Sequence, residues 1–215
     1  MAAMGRALAA LVWALAAALP AMAAPARPPV ADFGGRVLAP DVRRFASGVV
    51  ALGDHEGMPF AIVDKKRAQL HVFDARGRLR GSSAVLLGQT RGDRSAPQVG
   101  KHTQAGHVPL AERTTPAGRF VSEPGRNLHG EHVVWVDYEA AFAIHRLRPG
   151  ASYAARQARL ATSSAHDKRV SLGCVVVPTA FYLDAVERWL GRGESVVYVL
   201  PELESMDELL ARRAG

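Results

Sequence analysis

Two residues in this 215-residue chain have the types that nucleophilic catalysis needs: its single cysteine, Cys174, and a histidine upstream of it, His145. Cys174 follows Gly173 directly and opens the apolar run Val175-Val176-Val177 before Pro178. A glycine there lets the backbone turn sharply and leave N–H groups facing a substrate carbonyl, while Lys168 and Arg169 nearby would favour thiolate. A thiol nucleophile also needs an imidazole to take its proton and return it to a leaving amine. His145 closes the apolar run Ala141-Phe142-Ala143-Ile144, which delivers it at the end of a strand. Plainer readings stay open: Cys174 as a small buried hydrophobe, and His145 as an exposed edge-strand residue. His166, in a polar stretch eight residues before Cys174, is a competing base.

Hydrophobic periodicity indicates the elements that must position these groups. Phe60 to Val63, Gln69 to Phe73 and Ser82 to Leu87 read as a strand meander joined by charged turns. Gly88 to Thr115 shows no period and reads as a long functional loop. Strands are expected at Arg119 to Ser122, Val133 to Asp137, Ala141 to His145, Cys174 to Val177 and Ser195 to Leu200. Helices are expected at Ser152 to Leu160, from Pro178 to about Leu190, and from Glu202 to Arg213. Residues 24–58 read as a linker and N-terminal arm, with one short helix around Asp41 to Ser47. The fold class is thus mainly β with α, an α+β arrangement.

These motifs resemble, in order, those of the L,D-transpeptidases, the YkuD or ErfK/YbiS/YcfS/YnhG domain. Ile144-His145-Arg146 stands where the family has Ile-His-Gly, and Ser171-Leu172-Gly173-Cys174 where it has Ser/Thr-His/Ser-Gly-Cys. Thr115-Pro116-Ala117-Gly118-Arg119-Phe120 fits its Thr-Pro-x-Gly-x-Phe element, and Phe60 to Phe73 is similar to its first hairpin. The resemblance covers Pro59 to Pro201 and implies a β-sandwich or cradle of mixed sheets with a few helices.

It also implies an activity, that of a cysteine acyltransferase on peptidoglycan stem peptides. Cys174 would be the acylated nucleophile and His145 the base. Gly173 would allow close backbone approach, Ser171 would set the loop, and N–H groups around Gly173 and Cys174 would hold the oxyanion. D-Alanine would leave from a thioester that a second stem's amine resolves, with no metal or organic cofactor. Water as acceptor would instead make an L,D-carboxypeptidase or endopeptidase, and loss of efficient catalysis a cell-wall-binding module. Three residues depart from the pattern: Leu172 for a polar residue, Val176 for an arginine and Arg146 for glycine. The 29-residue step from His145 to Cys174 exceeds the family's, because of an inserted segment from Pro149 to His166.

The beginning of the chain reads as an export signal. Arg6 precedes the apolar run Ala7 to Leu19, and small residues Ala21 to Ala24 offer a cleavage site after Ala23. The expected organisation is a signal peptide over 1–23, the arm over 24–58, a catalytic domain over 59–201 and a C-terminal helix over 202–215. The expected destination is the periplasm or cell envelope, with no stable membrane span once the signal is removed. One cysteine excludes an internal disulfide framework and a multi-thiolate metal site. His129-Gly130-Glu131-His132 places its histidines three apart in a glycine-containing turn, unlike the helical spacing of zinc hydrolases, and no metal is expected. A net charge of +7 suits an anionic polymer such as the cell wall. Aromatics at 7% and no basic helix argue against nucleic acid.

Overall fold

The computed structural model describes residues 29–205. The expected signal peptide and most of the expected C-terminal helix lie outside them, and the described part of the latter, residues 202–205, is not helical. The elements in order are α1 (Pro40–Leu52), β1 (Phe60–Asp64), β2 (Gln69–Phe73), β3 (Leu79–Ala84), β4 (Leu87–Gly88) and α2 (Val99–Gln104). There follow β5 (Gly118–Arg126), β6 (His132–Asp137), β7 (Phe142–Arg146), α3 (Tyr153–Ala161), β8 (Arg169–Ser171), β9 (Val175–Val177), α4 (Thr179–Phe181) and β10 (Ser195–Leu200). A π-helical segment, Tyr182–Glu187, continues α4. The architecture is mixed α+β.

Eight strands form one sheet in the order β3-β2-β1-β10-β5-β6-β7-β9, and β4 pairs with β8 in a small second sheet. Strand β5 joins two halves of the large sheet: Gly118 to Ser122 pair with β10, while Glu123 to Arg126 pair with β6. Most neighbours are antiparallel, but β1 with β10 and β7 with β9 are parallel. Every residue of β1 and β10 is buried, which requires cover on both faces. Ala61, Val63, Val197 and Val199 face the main core with Tyr182, Val186 and Leu190 of the α4 region. Phe60, Ile62, Val196, Tyr198 and Leu200 face a second core built with Val42, Ala46, Val49 and Val50 of α1.

The arm is therefore packed structure over these residues. The helix expected near Asp41 to Ser47 runs to Leu52 and ends on Gly53 in the left-handed region. Its apolar residues at 42, 46, 49 and 50 recur at helical spacing, a pattern diluted by the charges of Arg43 and Arg44. The long stretch from Gly88 to Thr115 carries α2 and a single 3-10 turn, Leu110–Glu112. No helix among the described residues is long and apolar enough to cross a membrane.

Candidate active site

Strand β7 carries His145, and the parallel register pairs Ile144 with Val175, His145 with Val176 and Arg146 with Val177. One step back, Cys174 falls opposite Ala143. Residues alternate between faces along a strand, so Cys174, Ala143, His145 and Val176 belong to one side. The burial pattern agrees: Phe142, Ile144, Val175 and Val177 enter the main core, whereas Val176 joins a separate cluster with Leu86, Leu147 and Leu160. At the strand and residue spacings of a sheet, the Cα atoms of Cys174 and His145 lie roughly 8 Å apart on the diagonal.

His145 Nδ1 lies 2.9 Å from the Arg146 carbonyl. A carbonyl only accepts, so Nδ1 carries the proton and the neutral ring presents its lone pair at Nε2. Burial, reinforced by the positive charges of Arg148 and Arg156, pushes His145 down to about 4, against its bond to Arg146 and the charge of Glu131. The ring is neutral at physiological pH. Cys174 Sγ donates to the Ala141 carbonyl at 3.5 Å. Burial pushes the thiol up, with the Ala143 backbone and Arg148 opposing. Both groups are thus neutral at rest, and the thiol's hydrogen bond goes to the Ala141 carbonyl rather than to the imidazole.

The loop carrying the cysteine is locked from two sides. Ser171 Oγ donates to the Cys174 carbonyl at 2.6 Å and accepts from Gly173 N–H at 3.2 Å. Gly173 has φ +139°, and a Cβ there would lie 3.0 Å from the Thr114 carbonyl oxygen. Only glycine fits both demands without strain. Because Gly173 N–H is directed to Ser171, it serves the loop rather than facing outward, which differs from the expected oxyanion role of the N–H groups around it. From the other side, Thr115 Oγ1 donates to the Gly173 carbonyl at 2.7 Å and accepts from Gly88 N–H at 2.9 Å. Thr115 is wholly buried. In the sequence Thr115 stands only as the first residue of a motif with no role of its own; the signal that could have singled it out is the Thr-Pro pair before a strand.

Thr115 is itself anchored by charge. Lys65 Nζ, wholly buried, donates to the Thr115 carbonyl at 2.9 Å, to Asp93 at 2.6 Å and to the Gly92 carbonyl at 2.5 Å. Asp93 in turn accepts the N–H groups of Glu202, Leu203 and Glu204. Burial raises the Asp93 carboxyl, but the Lys65 hydrogen bond and backbone donors overcome it and bring Asp93 down to about 2.

The cations nearest in sequence do not serve the thiol. Lys168 Nζ caps the carbonyls of Thr162 and Ser164, and Arg169 Nη2 is bonded to Glu202 and the Lys65 carbonyl. Strand β8 runs away from the cysteine at that end, so closeness along the chain is not closeness in space. The charge acting on Cys174 comes instead from Arg148, which pairs with Glu131 at 2.7 Å. His166 lines a cleft with Lys65, Lys66, Arg91, Arg169 and Glu202, a lining that includes neither Cys174 nor His145. Within His129 to His132, His132 is held by the Tyr182 hydroxyl and the Gly191 carbonyl, while Glu131 pairs with Arg146 and Arg148. No group of three or more potential metal ligands occurs among the described residues.

Of the three departures from the family pattern, Leu172 is 49% exposed beside the cysteine, Val176 is buried in the cluster of Leu86, Leu147 and Leu160, and Arg146 pairs with Glu131. The segment from Pro149 to His166 holds α3, whose Tyr153 and Leu160 pack on that same cluster.

No family model matches the sequence, and no curated protein matches it. Solved structures similar to it include an L,D-transpeptidase from Xylanimonas cellulosilytica, with TM-score 0.40 and 16% identity over 66% of this chain and 60% of that one. An L,D-transpeptidase from Mycobacterium smegmatis aligns with TM-score 0.39 and 14% identity over 66% of this chain and 58% of that one. One from Enterococcus faecium aligns with TM-score 0.38 and 15% identity over 80% and 68%. The chain spans about three fifths of the length of the first two.

Proposed function

We propose that the protein is an exported cysteine acyltransferase acting on peptidoglycan stem peptides, an L,D-transpeptidase working in the periplasm or cell envelope. The observation that supports this reading is the β7–β9 register, which pairs His145 with Val176, two residues after Cys174, together with the Nδ1 hydrogen bond that leaves the His145 lone pair at Nε2.

In the proposed reaction, Nε2 takes the thiol proton as Cys174 Sγ bonds to the carbonyl carbon of the donor stem. The tetrahedral oxyanion forms beside Cys174. The imidazolium returns its proton to the amine of the departing D-residue as the C–N bond breaks, leaving a thioester. An amine of a second stem then attacks the thioester carbon, His145 accepts its proton, and the thiol is regenerated as the C–S bond breaks. Ser171, Gly173 and Thr115 position the nucleophile loop and exchange no proton.

Mass spectrometry of the purified protein after exposure to a carbapenem tests the nucleophile, and disaccharide-tetrapeptide tests the reaction. A covalent adduct absent from Cys174→Ala, together with cross-linked dimer, is the expected result. Absence of adduct sinks the enzyme reading in favour of a wall-binding module. Adduct with only shortened stems makes the protein an L,D-carboxypeptidase or endopeptidase with the same Cys-His pair.

A further inference from the structure

Positive charge around the candidate site exceeds the negative charge that balances it. Glu131 is shared by two guanidiniums, Arg146 Nη2 at 3.4 Å and Arg148 Nε at 2.7 Å. Arg156, on α3, has its Nε buried without a hydrogen-bond partner. A buried donor without a partner is costly, more so when it is charged. Residues 153, 156 and 160 are spaced at three and four along α3, so they share one helix face. Tyr153 and Leu160 of that face pack with Leu147 and Val176. Arg156 is therefore turned toward the side of the sheet that Val176 shares with Cys174 and His145. The charges of Arg148 and Arg156 both act on His145, and that of Arg148 also acts on Cys174.

The helix that carries Arg156 is fixed in place. Arg159 Nη1 donates to the Asp167 carbonyl at 2.8 Å, and Lys168 Nζ ties the chain just after α3 through Thr162 and Ser164. A held helix presenting a guanidinium whose Nε has no hydrogen-bond partner, and whose charge acts on His145, is arranged for an anionic group on the substrate. The planar fork of a guanidinium matches the two oxygens of a carboxylate. Val176, apolar and buried, puts no charge at its own position.

We propose that Arg156, assisted by Arg148, receives a carboxylate of the acyl-donor peptide and so determines donor specificity, an inference that rests on the cysteine acyltransfer reading. The inserted helix then acts as the wall of the donor subsite. The test is calorimetric binding to the full chain carrying Cys174→Ala, which removes turnover. The probes are a synthetic stem tetrapeptide ending in a free D-alanine carboxylate and its C-terminal amide.

The carboxylate is expected to bind about tenfold more tightly than the amide. Adding Arg156→Gln should abolish that preference, and Arg156→Lys should retain part of it. In the chain with its cysteine intact, Arg156→Gln should raise KM for the carboxylate donor by several-fold more than it raises KM for the amide donor, and Arg156→Lys should restore part of the difference. Equal affinity for the two peptides in the parent, or equal weakening of both by Arg156→Gln, overturns the inference. Should Arg156→Gln not fold, as judged by thermal melting, Arg148→Gln is measured in its place: a reduced preference for the carboxylate supports the inference, and equal weakening of both peptides overturns it. Failure of the acyltransfer reading shows separately, as a missing carbapenem adduct on the parent chain.

Discussion

At the scale of residues, the chemistry turns on protonation. A cysteine protease-like ion pair would show thiolate at neutral pH, but burial holds Cys174 above its ordinary value and His145 far below its own. The rate of Cys174 alkylation by iodoacetamide should rise about tenfold per pH unit from 7 to 9 without a plateau, because it follows the thiolate fraction. A plateau at acid or neutral pH would mean an imidazolium–thiolate pair. His145→Gln should lower acylation by about 10²–10⁴-fold, the range for loss of a general base. Thr115→Val tests the clasp: it strands the buried Gly88 N–H and Gly173 carbonyl, and should lower unfolding free energy by about 2 kcal/mol in denaturant titration. It should also slow acylation with Cys174 intact.

Elements set where those residues stand. Gly173→Ala must place a Cβ against the Thr114 carbonyl with φ in the left-handed region, at a cost of about 1–3 kcal/mol. Since the loop is what aims the thiol, carbapenem acylation should fall more steeply than melting temperature. Helix α1 covers the second face of β1 and β10 with Val42, Ala46 and Val49. Ala46→Asp buries an unpaired charge there and should destabilise the protein by more than about 3 kcal/mol, or prevent folding. An unchanged melting temperature would mean that the arm is dispensable to the domain. The sequence made β1, β2, β6, β7 and β10 legible within a residue or two, because alternating or continuous apolar runs end in charged turns. It made α1 less legible, since two arginines interrupt the pattern whose apolar face only the sheet reveals.

For the whole molecule, buried ionisable groups predict sensitivity to acid. His71, buried on β2 and bonded to Ser82, is pushed by burial down to about 4, as is His145. In the unfolded chain these rings take protons near pH 6.5. Between pH 6.5 and 4 the unfolded state therefore binds more protons, so stability is full above that window and is lost as pH falls through it. His71 alone contributes about 3 kcal/mol on this basis. Asp93 adds a second window, with stability lost as pH falls from 3.8 toward 2. Denaturant titrations from pH 7 to 3 should show a steady decline, and His71→Gln should flatten the upper part of it.

Local order in the chain determined the class of elements and the two candidate reactive residues. A cysteine after glycine, at the start of an apolar run, and a histidine ending another such run are visible because strand period and turn chemistry are local. The neighbours of those groups were decided only in three dimensions. Lys168 and Arg169, six and five residues before Cys174, are drawn into other bonds. Arg148, 26 residues before it, acts on the thiol, while Thr115 and Lys65 support its loop from distant strands and turns. A parallel pairing such as β7 with β9 joins segments across a long connection, and no local period encodes which residues it brings level. Burial then sets the protonation of both groups, and burial belongs to the packed molecule alone.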